Sequence, residues 1–215
     1  MVATRIIAVR HGETAWNVET RIQGQLDIGL NSKGQWQAQR AGQALSDEPI
    51  ARIYSSDLSR AHATARAIAQ HSTDPRARQV EVHTGLRERG FGVFEGQTYA
   101  DIESKWPEES KRWRQRDPHF APPGGETPTQ VLERVAATVN ALAAPHMGEQ
   151  IVLVAHGGVM DMLYRLATQQ TVGAPRTWEL GNAAINRLLW TPDGLTLVGW
   201  SDTRHLEDTL DEASA

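Results

Sequence analysis

"RIIAVRHGETAWN", Arg5 to Asn17, and "IVLVAHGG", Ile151 to Gly158, decide the reading of this chain. Each starts as a short aliphatic, β-branched run, the pattern of a strand buried on one or both faces. Each then delivers a His-Gly pair where the run stops. Burial gives no reason for an Arg, a His and a Gly to stand together at a strand end. A ligand does, because open α/β sheets bind ligands beyond the carboxyl ends of their strands, and glycine lets the backbone turn sharply and approach a ligand closely. Arg10-His11-Gly12 and His156-Gly157-Gly158 are therefore expected to face one another across a crevice.

Outward from these two runs, "ARIYS" (Ala51 to Ser55) and "QVEVH" (Gln79 to His83) carry the same buried-strand pattern. "SKGQWQAQRAGQALSD", "SRAHATARAIAQH" and "VMDMLYRLATQ" are helix-patterned segments between them. The alternation predicts an α/β layered fold with a mostly parallel sheet. Near the end, "AAINRLLW" and "LTLVGW" flank the turn signal "TPDG", which makes a hairpin at a sheet edge and the sheet mixed. In "ETPTQVLERVAATVNALAA" the helix start is written out: Thr127 as N-cap, Pro128 at the first helical position and Gln130 completing a capping box. Leu132, Val135, Val139 and Leu142 form its apolar stripe. The 215 residues suit one domain, 1–215, since domains commonly run about 100–200 residues. The acidic end, 207–215, is expected to be a loose tail.

Composition removes several functions. There is no cysteine, which excludes disulfides, thiolate zinc sites and cysteine nucleophiles. A net charge of −4 lacks the basic excess of a nucleic-acid binder. No apolar run approaches the ~20 residues that span a bilayer, and no signal-peptide pattern opens the chain, so a cytoplasmic location without membrane contact is expected. HExxH, Walker A and Cys/His zinc patterns are missing, and no metal or cofactor is expected. His62, His71, His83, His119, His146 and His205 form no ligand cluster by spacing.

A third element joins the two His-Gly pairs. "YSSDLSRAHATARAIA" begins a helix that Ser56, Asp57 or Ser59 can cap, and places Arg60 in its first turn, where a guanidinium can grip phosphate oxygens bidentately. Two arginines, two histidines and a helix N-terminus together describe a site for a dianion, with phosphate the commonest candidate. "RIQGQLD", with Arg21, Gln23 and Gly24, follows the first motif as a further lining candidate. "DIESKWPEESKRWRQRDPHF", within the candidate cap segment 101–127, reads either as a cap over the site or as an amphipathic helix. The second reading, favoured here, packs Trp106 and Trp113 on the body and leaves a solvated basic face.

"RHGET" followed by "WN", "SSDLSRAHATA", "LRERGFGVFEG" and "VAHGG" occur in the order and spacing of the histidine phosphatase superfamily, also called phosphoglycerate mutase-like, which the chain resembles from Arg5 to about Ala184. The resemblance implies a three-layer α/β/α sandwich and phosphoryl transfer through a phosphohistidine on His11. It further implies that Arg10, Arg60 and His156 hold the phosphoryl oxygens and that Glu88 donates a proton to the leaving group. Asn17, Gln23, Gly24 and Gly157 are assigned to substrate binding, and a small phosphorylated metabolite is the expected partner. The residue types suit this chemistry: phosphoryl transfer needs an in-line nucleophile and positive charge around the equatorial oxygens. One carboxyl group can protonate the leaving alkoxide and then activate water. Glu88 has a plain alternative, surface pairing with Arg87 or Arg89, and Glu95 is a nearby competitor for its role. The short interval between Glu88 and His156 favours a phosphatase of the small branch over a bisphosphoglycerate-dependent mutase. A phospholigand-binding module without catalysis is a third reading, and homodimerisation is left open.

Overall fold

The computed structural model describes residues 2–207; the acidic segment 208–215, most of the expected tail, lies outside them. The elements in chain order are β1 (Thr4–Arg10), α1 (Ala15–Val18), α2 (Ser32–Ala44), β2 (Arg52–Ser55), α3 (Ser59–His71), β3 (Val80–Val82), α4 (Tyr99–Lys105), α5 (Pro107–Arg114), α6 (Pro128–Ala143), β4 (Gln150–Ala155), α7 (Gly157–Thr168), β5 (Ile185–Thr191) and β6 (Gly194–Asp202). Six strands form one sheet in the order β3-β2-β4-β1-β5-β6. The first four of these run parallel, while β5 pairs antiparallel with β1 and β6 with β5, so the sheet is mixed as expected.

The three layers follow from side-chain alternation along the central strands. In β1, Ile6 and Ala8 face one side with Val135, Val139 and Leu163 of α6 and α7, whereas Ile7 and Val9 face the other with Ala41, Ala61 and Ile68 of α2 and α3. β4 does the same, with Ile151 and Leu153 on the first side and Val152 and Val154 on the second. A sheet buried on both faces explains why these runs are uninterrupted aliphatics. β3 departs from that pattern: it keeps three residues of the expected five, and Val82 is exposed, because the strand lies at the sheet edge with one neighbour only.

Helix starts test the capping rules closely. α6 has the expected capping box, with Thr127 accepting from Gln130 N and Pro128 at the first position, although Val131 rather than Leu132 carries the deepest part of its stripe. α3 does not use the expected caps. Its N-cap is Leu58, with no side-chain cap bond, and the Ser59 N–H is taken instead by Asp27 Oδ1 at 2.7 Å, from a loop 32 residues upstream. Ser56 Oγ accepts from Leu58 N, and Asp57 is occupied by an ion pair with Arg87. A smaller cluster of Ile22, Phe94, Ile102 and Phe120, with Trp106 and Trp113 against it, builds the region of α4 and α5 beside the sheet. Trp178 stacks on Tyr164 and Trp200 meets the same ring edge-on, while Trp190 Nε1 donates to Asn140, so these three tryptophans are engaged within the chain. Among the described residues no helix is long and apolar enough to cross a membrane.

Candidate active site

The register of the sheet makes the site. β1 and β4 are adjacent and parallel, with Arg10 opposite Ala155, so the two His-Gly pairs emerge side by side. The His11 N–H continues the ladder to Ala155 O at 3.0 Å, and the imidazoles of His11 and His156 lie with centroids 5.2 Å apart. Gly12 leaves β1 so close to α2 that a Cβ there would sit 2.3 Å from Gly34 O. Its N–H is held by Thr64 Oγ1 of α3, and Asn182 Nδ2 binds His11 O. The nucleophile candidate is thus anchored from three elements.

His11 Nδ1 lies 2.7 Å from Gly12 O. A carbonyl only accepts, so Nδ1 carries the proton and Nε2 keeps its lone pair. Burial, then the charges of Arg10 and Arg60, hold the His11 pKa well below the ordinary imidazole value, so the ring stays neutral. Burial and then His11, Arg60 and Arg10 do the same to His156.

Around the two rings lie donors without partners. Arg10 spends Nη1 on Leu180 O, while its buried Nε has no partner. Arg60 is 1% exposed; Nη1 and Nη2 donate to Leu26 O and Gly24 O at 2.8 and 2.7 Å, and Nε is unpartnered. The two loop carbonyls fix the orientation of the guanidinium and take one N–H from each terminal nitrogen, which leaves three of its five N–H groups, Nε–H among them, for a ligand. Both ring nitrogens of His156 are also buried and unpartnered. Buried polar atoms are ordinarily hydrogen-bonded, and a cluster of orphaned donors beside a neutral imidazole is what a bound dianion would satisfy.

Glu88 sits across this cluster. Both its carboxylate oxygens accept from Gly158 N at 3.1 Å, at the start of α7, and Oε1 also accepts from Arg89 N at 2.7 Å. The alternative of surface pairing is overturned by where the neighbours go. Arg87 pairs with Asp57, and the Arg89 guanidinium turns inward to Glu126 O and Phe120 O, its pKa lowered by burial to about 10. Glu95 is also accounted for: Oε1 accepts from Gln25 N and Phe91 N, tying two cavity loops together.

A cavity of about 670 Å³ opens here, lined by Arg10, His11, Asn17, Gln23, Gly24, Arg60, Glu88 and Gly157. Eight of the nine site residues expected from sequence therefore meet in one space. The ninth, His156, is fully buried, with its ring centroid 5.2 Å from that of His11. Asn17 Oδ1 serves the α1 capping box by accepting from Thr14 N, which leaves its amide NH₂ as the group able to donate into the cavity. Gln23 Oε1 accepts from Thr14 Oγ1, and Gly24 at φ +52° has no room for a Cβ beside Glu95. Both readings of the tryptophan-rich segment hold in part: Trp106 and Trp113 pack on Phe94, Arg112 and Arg114 are exposed and ion-paired, but Tyr99, Trp113, Arg114 and Arg116 also line the cavity mouth. Sequence reasoning placed Gly158 at the crevice without giving it a role, and it missed Thr64 and Asn182; Thr64 lies inside "SSDLSRAHATA", whereas Asn182 has no motif to mark it. Among the described residues no group of three His, Cys, Asp or Glu is placed to hold a metal ion.

A family model described as histidine phosphatase superfamily (branch 1) matches residues 6–203, past Ala184 and through the final hairpin. The chain is 39% identical over 209 residues to phosphoglycerate mutase-like protein 4 of Arabidopsis thaliana, covering 95% of this chain and 87% of that one. It is 36% identical over 206 residues to a metal-independent phosphoserine phosphatase of the same plant, covering 94% and 83%. The native structure of a mycobacterial glucosyl-3-phosphoglycerate phosphatase superposes with a TM-score of 0.81 at 33% identity, over 94% of this chain and 100% of that one. The protein belongs to the histidine phosphatase superfamily, in its first branch.

Proposed function

We propose that the protein is a phosphatase of small phosphomonoesters that works without a metal, through a phosphohistidine at Nε2 of His11. The observation that carries the proposal is the Nδ1 contact with Gly12 O, which frees Nε2 as a neutral nucleophile facing the cavity that Glu88 also lines. In the first step the bond from Nε2 to phosphorus forms as the bond to the ester oxygen breaks, and the Glu88 carboxyl gives its proton to that oxygen. In the second, Glu88 takes a proton from water, whose oxygen attacks phosphorus; the bond to Nε2 breaks and inorganic phosphate leaves. Arg10, Arg60 and His156 donate to the phosphoryl oxygens, where charge develops. Asn17, Gln23, Gly24 and Gly157 shape the bed in which the phosphate lies. The phosphatase names of two of the relatives support hydrolysis over mutase activity.

The test is phosphate release from an ester panel in EDTA, with 3-phosphoglycerate plus 2,3-bisphosphoglycerate followed in parallel for isomerisation. Release without isomerisation is expected. Isomerisation exceeding release would make the protein a mutase. His11→Ala is expected to cut turnover roughly a thousandfold or more, while phosphate still raises the melting temperature of the variant. Stabilisation by phosphate with no turnover in the unaltered protein would point to a binding module.

A further inference from the structure

Of the glutamines on α2, Gln35, Gln39 and Gln43 are exposed, whereas Gln37 is 6% exposed on the buried face with Gly34, Ala38 and Ala41. A buried amide is costly unless it is bonded, and Gln37 bonds to the nucleophile's own turn: its Oε1 accepts from Glu13 N at 2.8 Å. That N–H and the carbonyl of Gly12 belong to one peptide group, and Gly12 O is the atom that accepts from His11 Nδ1 at 2.7 Å. A continuous chain therefore runs from His11 Nδ1–H to Gly12 O, through the peptide, and from Glu13 N–H to Gln37 Oε1. Chained hydrogen bonds polarise one another, so an acceptor on the N–H makes the carbonyl at the far end a stronger acceptor. Burial first, and then Arg10 and Arg60, lower the His11 pKa, and the bond to Gly12 O acts against them.

The peptide needs such a hold. Glycine leaves the backbone at position 12 free to rotate, and a half-turn of the Gly12–Glu13 peptide would aim its N–H at the ring. Nδ1 would then have to accept, the ring proton would move to Nε2, and the lone pair that attacks phosphorus would be gone. Gln37 reaches the peptide because α2 packs directly on the turn: a Cβ on Gly34 would overlap the Glu13 backbone, and Asn31 N donates to Glu13 O at 3.0 Å. Thr64 holds the preceding N–H, that of Gly12, and does not touch this peptide group.

We propose that Gln37 is a positioning residue for the nucleophile: by holding the Glu13 N–H it keeps the Gly12 carbonyl on His11 Nδ1, and so keeps Nε2 unprotonated. This rests on the phosphohistidine reading and adds the side chain that sets the tautomer.

Long-range ¹H–¹⁵N NMR of the full chain, labelled in its histidines, reads the tautomer directly, with the His11 ring signals identified by their absence in His11→Ala. The unaltered protein is expected to show a protonated Nδ1 and a bare Nε2. Gln37→Met keeps the length of the side chain and removes the acceptor; its His11 proton is expected on Nε2 or shared between the two nitrogens. In step, kcat on phenyl phosphate should fall roughly 10- to 100-fold, the effect of an unsatisfied buried N–H expressed as a rate. The rise in melting temperature with inorganic phosphate should persist, because Arg10, Arg60 and His156 are unaltered. Gln37→Glu keeps an oxygen in the same place and should recover most of the lost rate. A bare Nε2 in Gln37→Met, or a Gln37→Glu variant as slow as Gln37→Met, would overturn the proposal and leave the phosphatase standing. Should Gln37→Met fold poorly, Gln37→Glu carries the test: a proton on Nε2 there, or a loss in kcat of about tenfold or more with the melting temperature kept, would overturn the proposal. A protonated Nε2 in the unaltered protein would overturn both the proposal and the phosphohistidine reading. Absence of turnover in the unaltered protein would overturn the phosphatase alone, since the tautomer comparison needs no substrate.

Discussion

At the scale of single residues, the site depends on two histidines kept neutral where cations surround them. Burial is the largest cause of both depressed pKa values, so the effect belongs to the folded protein and vanishes on unfolding. The direction of the resulting pH dependence follows. Above about pH 6.5 both states are neutral at these positions and nothing is lost. As pH falls below 6.5 the unfolded chain takes up protons that the folded site refuses, and stability declines by up to about 1.4 kcal/mol per pH unit for each such histidine. His205, also lowered by burial, adds to the slope. Carboxylates held low by partners, such as Asp202 at about 2 beside Arg204, contribute only at more acidic pH. Denaturant unfolding between pH 6.5 and 5 should show the decline, and His156→Gln should remove one histidine's share of it. An unchanged slope in that variant would mean that His156 is charged in the folded state. The two histidines were legible because each follows a strand directly; Asn182, which binds the same backbone, comes from a segment with no local pattern, and Thr64, though inside a quoted helix, shows its contact with Gly12 only in the fold.

At the scale of elements, α7 seats the Glu88 carboxylate on its first turn. Gly158 N holds both oxygens of Glu88, and a Cβ at Gly158 would fall 2.2 Å from Oε1. Alanine is intrinsically better than glycine in a helix by about 1 kcal/mol. Gly158→Ala is therefore expected to leave the melting temperature unchanged or higher while displacing Glu88. The expected loss in kcat is about 100-fold, the low end of what general acid–base catalysis supplies. Unchanged kcat would show that Glu88 does not need this seat. Helix starts also show where sequence reading succeeds and fails. Thr127, Pro128 and Gln130 are neighbours, and the capping box of α6 was legible in full. The α3 cap was not, because Asp27 reaches Ser59 through the fold, and the nearer candidates have other bonds. β3 was overread for a related reason: two valines flanking a charge look the same in sequence at an exposed edge as within a covered sheet.

At the scale of the whole molecule, the two packed faces of the sheet hold the two histidines in register. Leu153 is fully buried between β1 and the α6–α7 layer, two residues before the end of β4. Leu153→Ala is expected to cost about 2–5 kcal/mol in urea unfolding, and less than about 1 kcal/mol would show that the layer closes over the gap. The layered architecture was legible because both central strands are aliphatic throughout, a demand that only a sheet covered on two sides makes. The cavity mouth was not, because its loops meet through tertiary contacts alone. The strand order has a consequence in time. β1 is central, yet both its partners, β4 and β5, come from the last third of the chain. At ribosomal speeds of about 5–20 residues per second, roughly 7 to 28 seconds separate the synthesis of Arg10 from that of Gln150. Through that interval Ile6, Ile7, Ala8 and Val9 have neither edge of their strand paired, and His11 has no His156 beside it. His11 is therefore made well before the strands that assemble it into a site, and the nascent chain carries an unpaired aliphatic strand through that interval.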